Sequence, residues 1–86
     1  MTAALDWLAV RMNRATELEH LRKADADIAD GLKRVERQQE LIARLQAQGH
    51  DVTTAKTLLA TMQETLAAME QHRLAIVQEL KAQEKP

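Results

Sequence analysis

The sequence predicts an all-α fold: an antiparallel two-helix coiled-coil hairpin with an N-terminal amphipathic extension. Three observations carry this. The chain turns at Gln48-Gly49-His50-Asp51, apolar residues recur at threes and fours on both sides of that turn, and the composition favours helix. Gly49 is the better helix stop of the two glycines, because helices commonly end on a residue in the left-handed conformation, which glycine adopts without a Cβ clash. Asp51 then opens the next helix. Its carboxylate can accept from the free amides of Thr53 or Thr54, and its charge suits the positive end of the new helix dipole.

Before the turn the apolar stripe is Leu18, Leu21, Ile28, Leu32, Val35 and Ile42. After it come Val52, Ala55, Leu59, Met62, Leu66, Met69, Ile76 and Leu80. Folding the chain between residues 50 and 51 pairs numbers that sum to 101. Ile42 then meets Leu59, Val35 meets Leu66, Leu32 meets Met69 and Leu21 meets Leu80. Arms of about 33 residues are about 50 Å long at 1.5 Å rise per residue.

In this register the first arm places Asp25, Gln39 and Gln46 among its core positions. Asp25 faces Ile76 and lies one turn from Arg73, the basic residue of the second stripe, so the two are expected to pair as a polar layer. Gly31 and Ala24 form a small-residue strip where another helix can come close. On the second arm Ala60, Ala67, Ala68, Leu74 and Ala75 lie off the seam and make a mildly apolar face suited to a further helix pair.

The chain of 86 residues has a net charge of -1, with 12 basic and 13 acidic residues, which points to neither nucleic acid nor an anionic membrane as partner. Cysteine is absent, so disulfides, thiolate zinc sites and cysteine nucleophiles are excluded, and the expected compartment is a reducing cytoplasm. No apolar run approaches the roughly 20 residues of a membrane span. Serine, tyrosine and phenylalanine are also absent and 15 residues are alanine, a composition fit for narrow helical seams rather than a wide core. Such a hairpin buries one stripe per helix, and ordering costs about 1.5 kcal/mol per residue, so oligomerisation is expected.

Residues 1–15 form the expected amphipathic arm, and 16–86 the hairpin with its turn at 48–51. Leu5, Leu8, Met12 and Ala15 recur at helical spacing, and a stammer joins them to the next stripe. A continuous helix from about residue 3 to 48 is expected. A bend near Asn13 to Thr16 is the alternative, with Thr16 and Glu19 as a capping box. In the 101 register Pro86 stands opposite Ala15, so residues 1–14 overhang the second arm. There Leu5, Trp7, Leu8 and Met12, with Val10, form an apolar patch expected to pack on a second copy, giving a dimer and a four-helix bundle, or on another helical protein.

Ala29-Asp30-Gly31 through Gln39, then Leu41-Ile42-Ala43-Arg44-Leu45, Gly49-His50-Asp51, Ala55 and Leu58-Leu59 resemble a class of short, uncharacterised bacterial helical-hairpin proteins. The resemblance spans roughly residues 24–80, implies a bacterial hairpin and carries no activity.

The motifs of chemistry are weak beside this pattern. Asp25 to Gly31 has the acidic look of a calcium loop, but the third acid and the glycine each fall one residue late, so it reads as a solvated helix face. His20, His50 and His72 are too scattered for a metal site. Glu19-His20-Leu21-Arg22-Lys23 distantly resembles the phosphoacceptor segment of histidine kinase dimerisation domains and phosphotransfer proteins, without the kinases' downstream proline or the phosphotransfer glycine after lysine. That resemblance implies, as the alternative function, a signalling adaptor phosphorylated at His20. Lys33, Arg34, Arg37 and Arg44 are interrupted by Glu36 and Glu40 and lack interleaved aromatics, so nucleic acid is not expected. A slender hairpin offers no water-excluding pocket for acid-base catalysis. The expectation is a non-catalytic helical interaction or oligomerisation module without cofactor or metal.

Overall fold

The computed structural model describes residues 3–84, with side chains from residue 6 onward. Two helices, α1 (Ala3–Ala47) and α2 (Thr53–Glu84), pack antiparallel into a rod of 72 × 16 × 14 Å. α1 passes through residues 13–16 without interruption, so the capping-box alternative is not used. The side chain of Leu5 and all of Pro86 lie outside the described residues.

The turn is built by Gly49. Its φ of 78° is in the left-handed region, and the chain closes α1 with a pair of backbone bonds: His50 N–H donates to Leu45 O at 2.9 Å and Gly49 N–H to Gln46 O at 3.0 Å. This is the Schellman arrangement, which satisfies carbonyls that the end of a helix leaves free. Asp51 then caps α2, since its Oδ1 accepts from the Thr53 amide at 2.9 Å and from the Thr53 hydroxyl at 2.7 Å.

The seam of α2, opened by Val52 just before its first turn, is Ala55, Leu59, Met62, Leu66, Met69, Arg73, Ile76 and Leu80, the stripe that its heptad predicts, and Val77 and Gln83 are half-buried as well. α1 differs. Its seam is Glu17, Leu21, Ala24, Ile28, Gly31, Val35, Gln38, Ile42 and Leu45, so Leu18 and Leu32 are exposed and the predicted core residues Asp25, Gln39 and Gln46 face solvent. The register moves with it. Gly31 stands against Leu66, a pair whose numbers sum to 97 rather than 101, and at about 1.5 Å per residue that is a slide of about 6 Å, or one helical turn.

The physical reason lies in side-chain size and polarity. The 101 register would bury one aspartate and two glutamines on α1, each needing a partner away from water. The observed register replaces them with Ala24, Gln38 and Leu45, and Gln38, the buried polar residue among those described, donates from its Nε2 to the Ala55 carbonyl at 2.9 Å. The small strip of Ala24 and Gly31 is therefore occupied, and the helix that approaches it is α2 of the same chain. A Cβ on Gly31 would sit 3.1 Å from Leu66 Cδ1 and 3.9 Å from Met69 Cε.

That contact yields a graded test. Gly31→Ala gains about 1 kcal/mol of helix propensity and asks the flexible end of Leu66 to give by a few tenths of an ångström, so it is expected to be neutral or stabilising. Gly31→Leu is expected to cost about 1–3 kcal/mol by prising the helices apart. Thermal melts at fixed concentration check the order. Under the 101 register Gly31 would be off the seam and both variants would stabilise.

Candidate functional site

The hairpin has two flanks beside its seam. On one, Asp27 and Arg34 of α1 share a groove with Thr65 of α2, and His72 and Ala68 continue its wall. The other flank carries Asp25 of α1 and Glu84 of α2. There Arg73 Nε donates to Asp25 Oδ1, and Arg14 donates to the Leu80 carbonyl at 3.4 Å and to Glu84 Oε1 at 3.2 Å. Asp25 is thus joined to Arg73 across the helices, but not as a buried layer facing Ile76: the two side chains are 53% and 43% exposed. An exposed pair of this kind contributes about 0.2–1 kcal/mol.

The groove measures about 370 Å³. It exists because Gly31 contributes no side chain, and its floor is Met62, Leu66 and Met69 between walls of Asp27, Asp30 and Thr61. Asp27 is held outward by Lys23 at 3.1 Å. The threonines of the α2 wall point their hydroxyls back along the helix, Thr61 to Thr57 O at 3.3 Å and Thr65 to Thr61 O at 3.0 Å, a ladder begun by Thr57 on Thr53 O at 3.0 Å. With their donors spent on the backbone, these hydroxyls are not poised as nucleophiles. Their four-residue spacing was visible in the sequence and carried that signal. Among the described residues no three histidines or carboxylates converge to hold a metal ion, and no helix is long and apolar enough to cross a membrane.

The N-terminal arm is the second surface. Arg14 reaches Glu84, the end of α2, which stands opposite residue 13 in the observed register, so α1 runs beyond α2 from residue 12 backwards. Beyond that point Trp7 is 57% exposed, Leu8 49%, Val10 53% and Met12 70%. Trp7 and Val10 continue the spacing of Arg14, Glu17 and Leu21, which makes them a prolongation of the α1 seam with nothing from α2 opposite. Leu8 and Met12 lie round the helix from them. The Arg11 guanidinium covers one face of the Trp7 ring at 4.5 Å from its centroid, a contact expected of an exposed indole that keeps its other face open.

His20 is at the surface, its Nδ1 3.5 Å from Glu17 Oε1. Glu19 is drawn aside by Arg22, whose guanidinium hydrogen-bonds it and holds its carboxyl below the usual glutamate range. His50 belongs to the turn, where its amide rather than its ring is used.

Comparison of the chain with protein-family models, with curated proteins and with solved structures finds no match.

The geometry of the two ionic features sets two expectations. In a double-mutant cycle of Asp25→Leu and Arg73→Leu, monitored by chemical denaturation, the coupling is expected at about 0.2–1 kcal/mol, and a value above about 3 kcal/mol would return the pair to a buried layer. At the turn, the Thr53 hydroxyl and then the Thr53 amide hold the Asp51 carboxyl below its ordinary range. A carboxyl depressed in the folded state stabilises the fold above its unfolded value, and that contribution is lost as pH falls through the lower folded value. Melts of wild type and Asp51→Ala are therefore expected to differ at neutral pH and to converge in acid, below the usual aspartate range.

Proposed function

We propose that the chain is a non-catalytic helical interaction and oligomerisation module, working in the cytoplasm of a bacterial cell. The observation that carries this reading is the arm: a helix already formed, prolonging a packed seam, with Trp7, Leu8, Val10 and Met12 in water. Apolar residues gathered in this way mark interaction sites, and tryptophan is among the residues that contribute most when buried in one.

The area of the rod supports the same reading. A compact folded chain of 9.7 kDa exposes about 5,100 Å². This chain exposes 6816 Å², a surplus of about 1,700 Å² against the roughly 800 Å² that each partner buries in an interface of standard size. Self-association into a dimer of hairpins, a four-helix bundle, is the form proposed, and another helical protein offering the same kind of seam is the other partner class.

Sedimentation and Trp7 fluorescence test it. Full-length protein at tens of micromolar is expected as a dimer with blue-shifted emission, and removal of residues 1–13 is expected to weaken association. A full-length monomer with water-like, red-shifted emission would overturn the self-associating arm.

A further inference from the structure

Beyond the arm, the observed register leaves on one flank of the hairpin a row in which leucines and alanines are interspersed with Arg22, Asp25, Glu36 and Gln39. On α1, positions 15, 18, 22, 25, 29, 32, 36, 39 and 43 recur at threes and fours, a second heptad turned away from the seam. It contains Leu18 and Leu32, which the seam excludes. The corresponding flank of α2 carries Ala60, Ala67, Leu74 and Val77. Both rows lie on the Asp25 and Glu84 side, opposite the groove. Among the described residues Leu18, Leu32 and Leu74 are exposed large hydrophobics on this flank, Leu58 is one on the groove side, and Leu8 prolongs the row into the arm.

We infer that this flank is the docking surface for a second copy of the chain, laid antiparallel about a two-fold axis that crosses α1 at Ala29 and α2 near Ala67. The inference rests on the oligomerisation reading above and names its surface and geometry. Three features of the chain select a second copy as the occupant.

The outermost row of α1 reads Ala15, Arg22, Ala29, Glu36, Ala43 at intervals of seven, and it is complementary to its own reversal. An antiparallel copy centred on Ala29 sets Arg22 against Glu36 of the second copy, twice by symmetry, Ala15 against Ala43, and Ala29 against itself. An unrelated partner would have no use for that order. Next, the two helices agree on where the axis lies. Gly31 packs on Leu66, so Ala29 is level with Ala67 and Ala68, and Ala67 is also the midpoint between Ala60 and Leu74. One axis therefore lays Leu74 over Ala60 of the second copy, large on small, and brings Leu32 level with residue 26, between Asp25 and Ala29 of the second copy. The alanines at its centre let the four helices approach closely, toward the 8 Å end of the usual interaxial range of about 8–10 Å. Finally, such a face draws on the surplus exposed area that the slender rod retains.

In this arrangement residues 8–12 of each arm stand level with residues 46–50 of the second copy, and the arm runs on past its turn. The ion pair of Arg22 with Glu19 holds the guanidinium on the rim of the flank, where Glu36 of the second copy adds a further acceptor.

The absence of cysteine makes the test direct. Full-length Ala29→Cys under diamide is expected to form a disulfide dimer at least about ten times faster than Thr61→Cys, which reports the groove side, because only a residue on the axis meets its own copy within disulfide reach. Arg22→Glu and Glu36→Arg are each expected to weaken the dimer roughly ten-fold in sedimentation, and the two together to restore it. A wild-type dimer in which Thr61→Cys crosslinks as fast as Ala29→Cys, or in which the double reversal fails to restore association, overturns this face while leaving the interaction module standing. A wild-type monomer overturns the face and the self-association together.

Discussion

The closeness of α2 to α1 at Ala24 and Gly31 is the constraint on which the hairpin depends. Two helices with full-sized side chains at every seam position stand apart and interdigitate loosely. Here Leu66 fills the space that Gly31 leaves, and Ala24 packs with Ile76 and Leu80 in the buried cluster that Leu21 flanks. A glycine inside a helix costs about 1 kcal/mol in propensity, and the short approach it allows is the compensation. Once Gly31 is committed to Leu66, every other layer follows at intervals of three and four residues. Gln38 is then brought to the Ala55 carbonyl, Arg73 beside Asp25, and Arg14 to the last turn of α2.

That commitment also decides what the protein shows to its surroundings. Seam positions on α1 given to Ala24, Gly31 and Gln38 are positions denied to Leu18 and Leu32, which pass to the surface. At the N-terminal end, matching layers run out near Arg14, and Trp7 and Val10 continue a seam that has lost its second helix. The exposed apolar surface is thus a consequence of the intramolecular register and not an independent feature. Net charge near zero lets such surfaces meet without long-range repulsion, so the proposed self-association would be limited by complementarity of the faces.

The same geometry supports the proposed non-catalytic reading. The groove beside the seam is open along its length, its threonine hydroxyls are bound to the backbone, and its nearest carboxylate is tied to Lys23. Catalytic groups are tuned by exclusion of water and by charges held at close range. The groups whose pKa is clearly displaced, Glu19, Arg22 and Asp51, are on the exterior, paired with a neighbour three residues away or engaged in a helix cap.

Sequence alone determined the two helices, the turn and the whole seam of α2. These are local properties: glycine's access to positive φ at Gly49, aspartate's ability to accept from the Thr53 amide, and a run of leucine and methionine at heptad spacing that leaves only one apolar face to bury. The face of α1 was legible only in part, because Leu21, Ile28, Val35 and Ile42 belong equally to two heptads that share them. One completes itself with Leu18, Asp25, Leu32, Gln39 and Gln46, the other with Glu17, Ala24, Gly31, Gln38 and Leu45. Counting leucines favours the first, by one. Tertiary structure decided for the second, because the gain from bringing two helices close, and from leaving Asp25, Gln39 and Gln46 in water, is a property of the pair and is written in neither helix by itself.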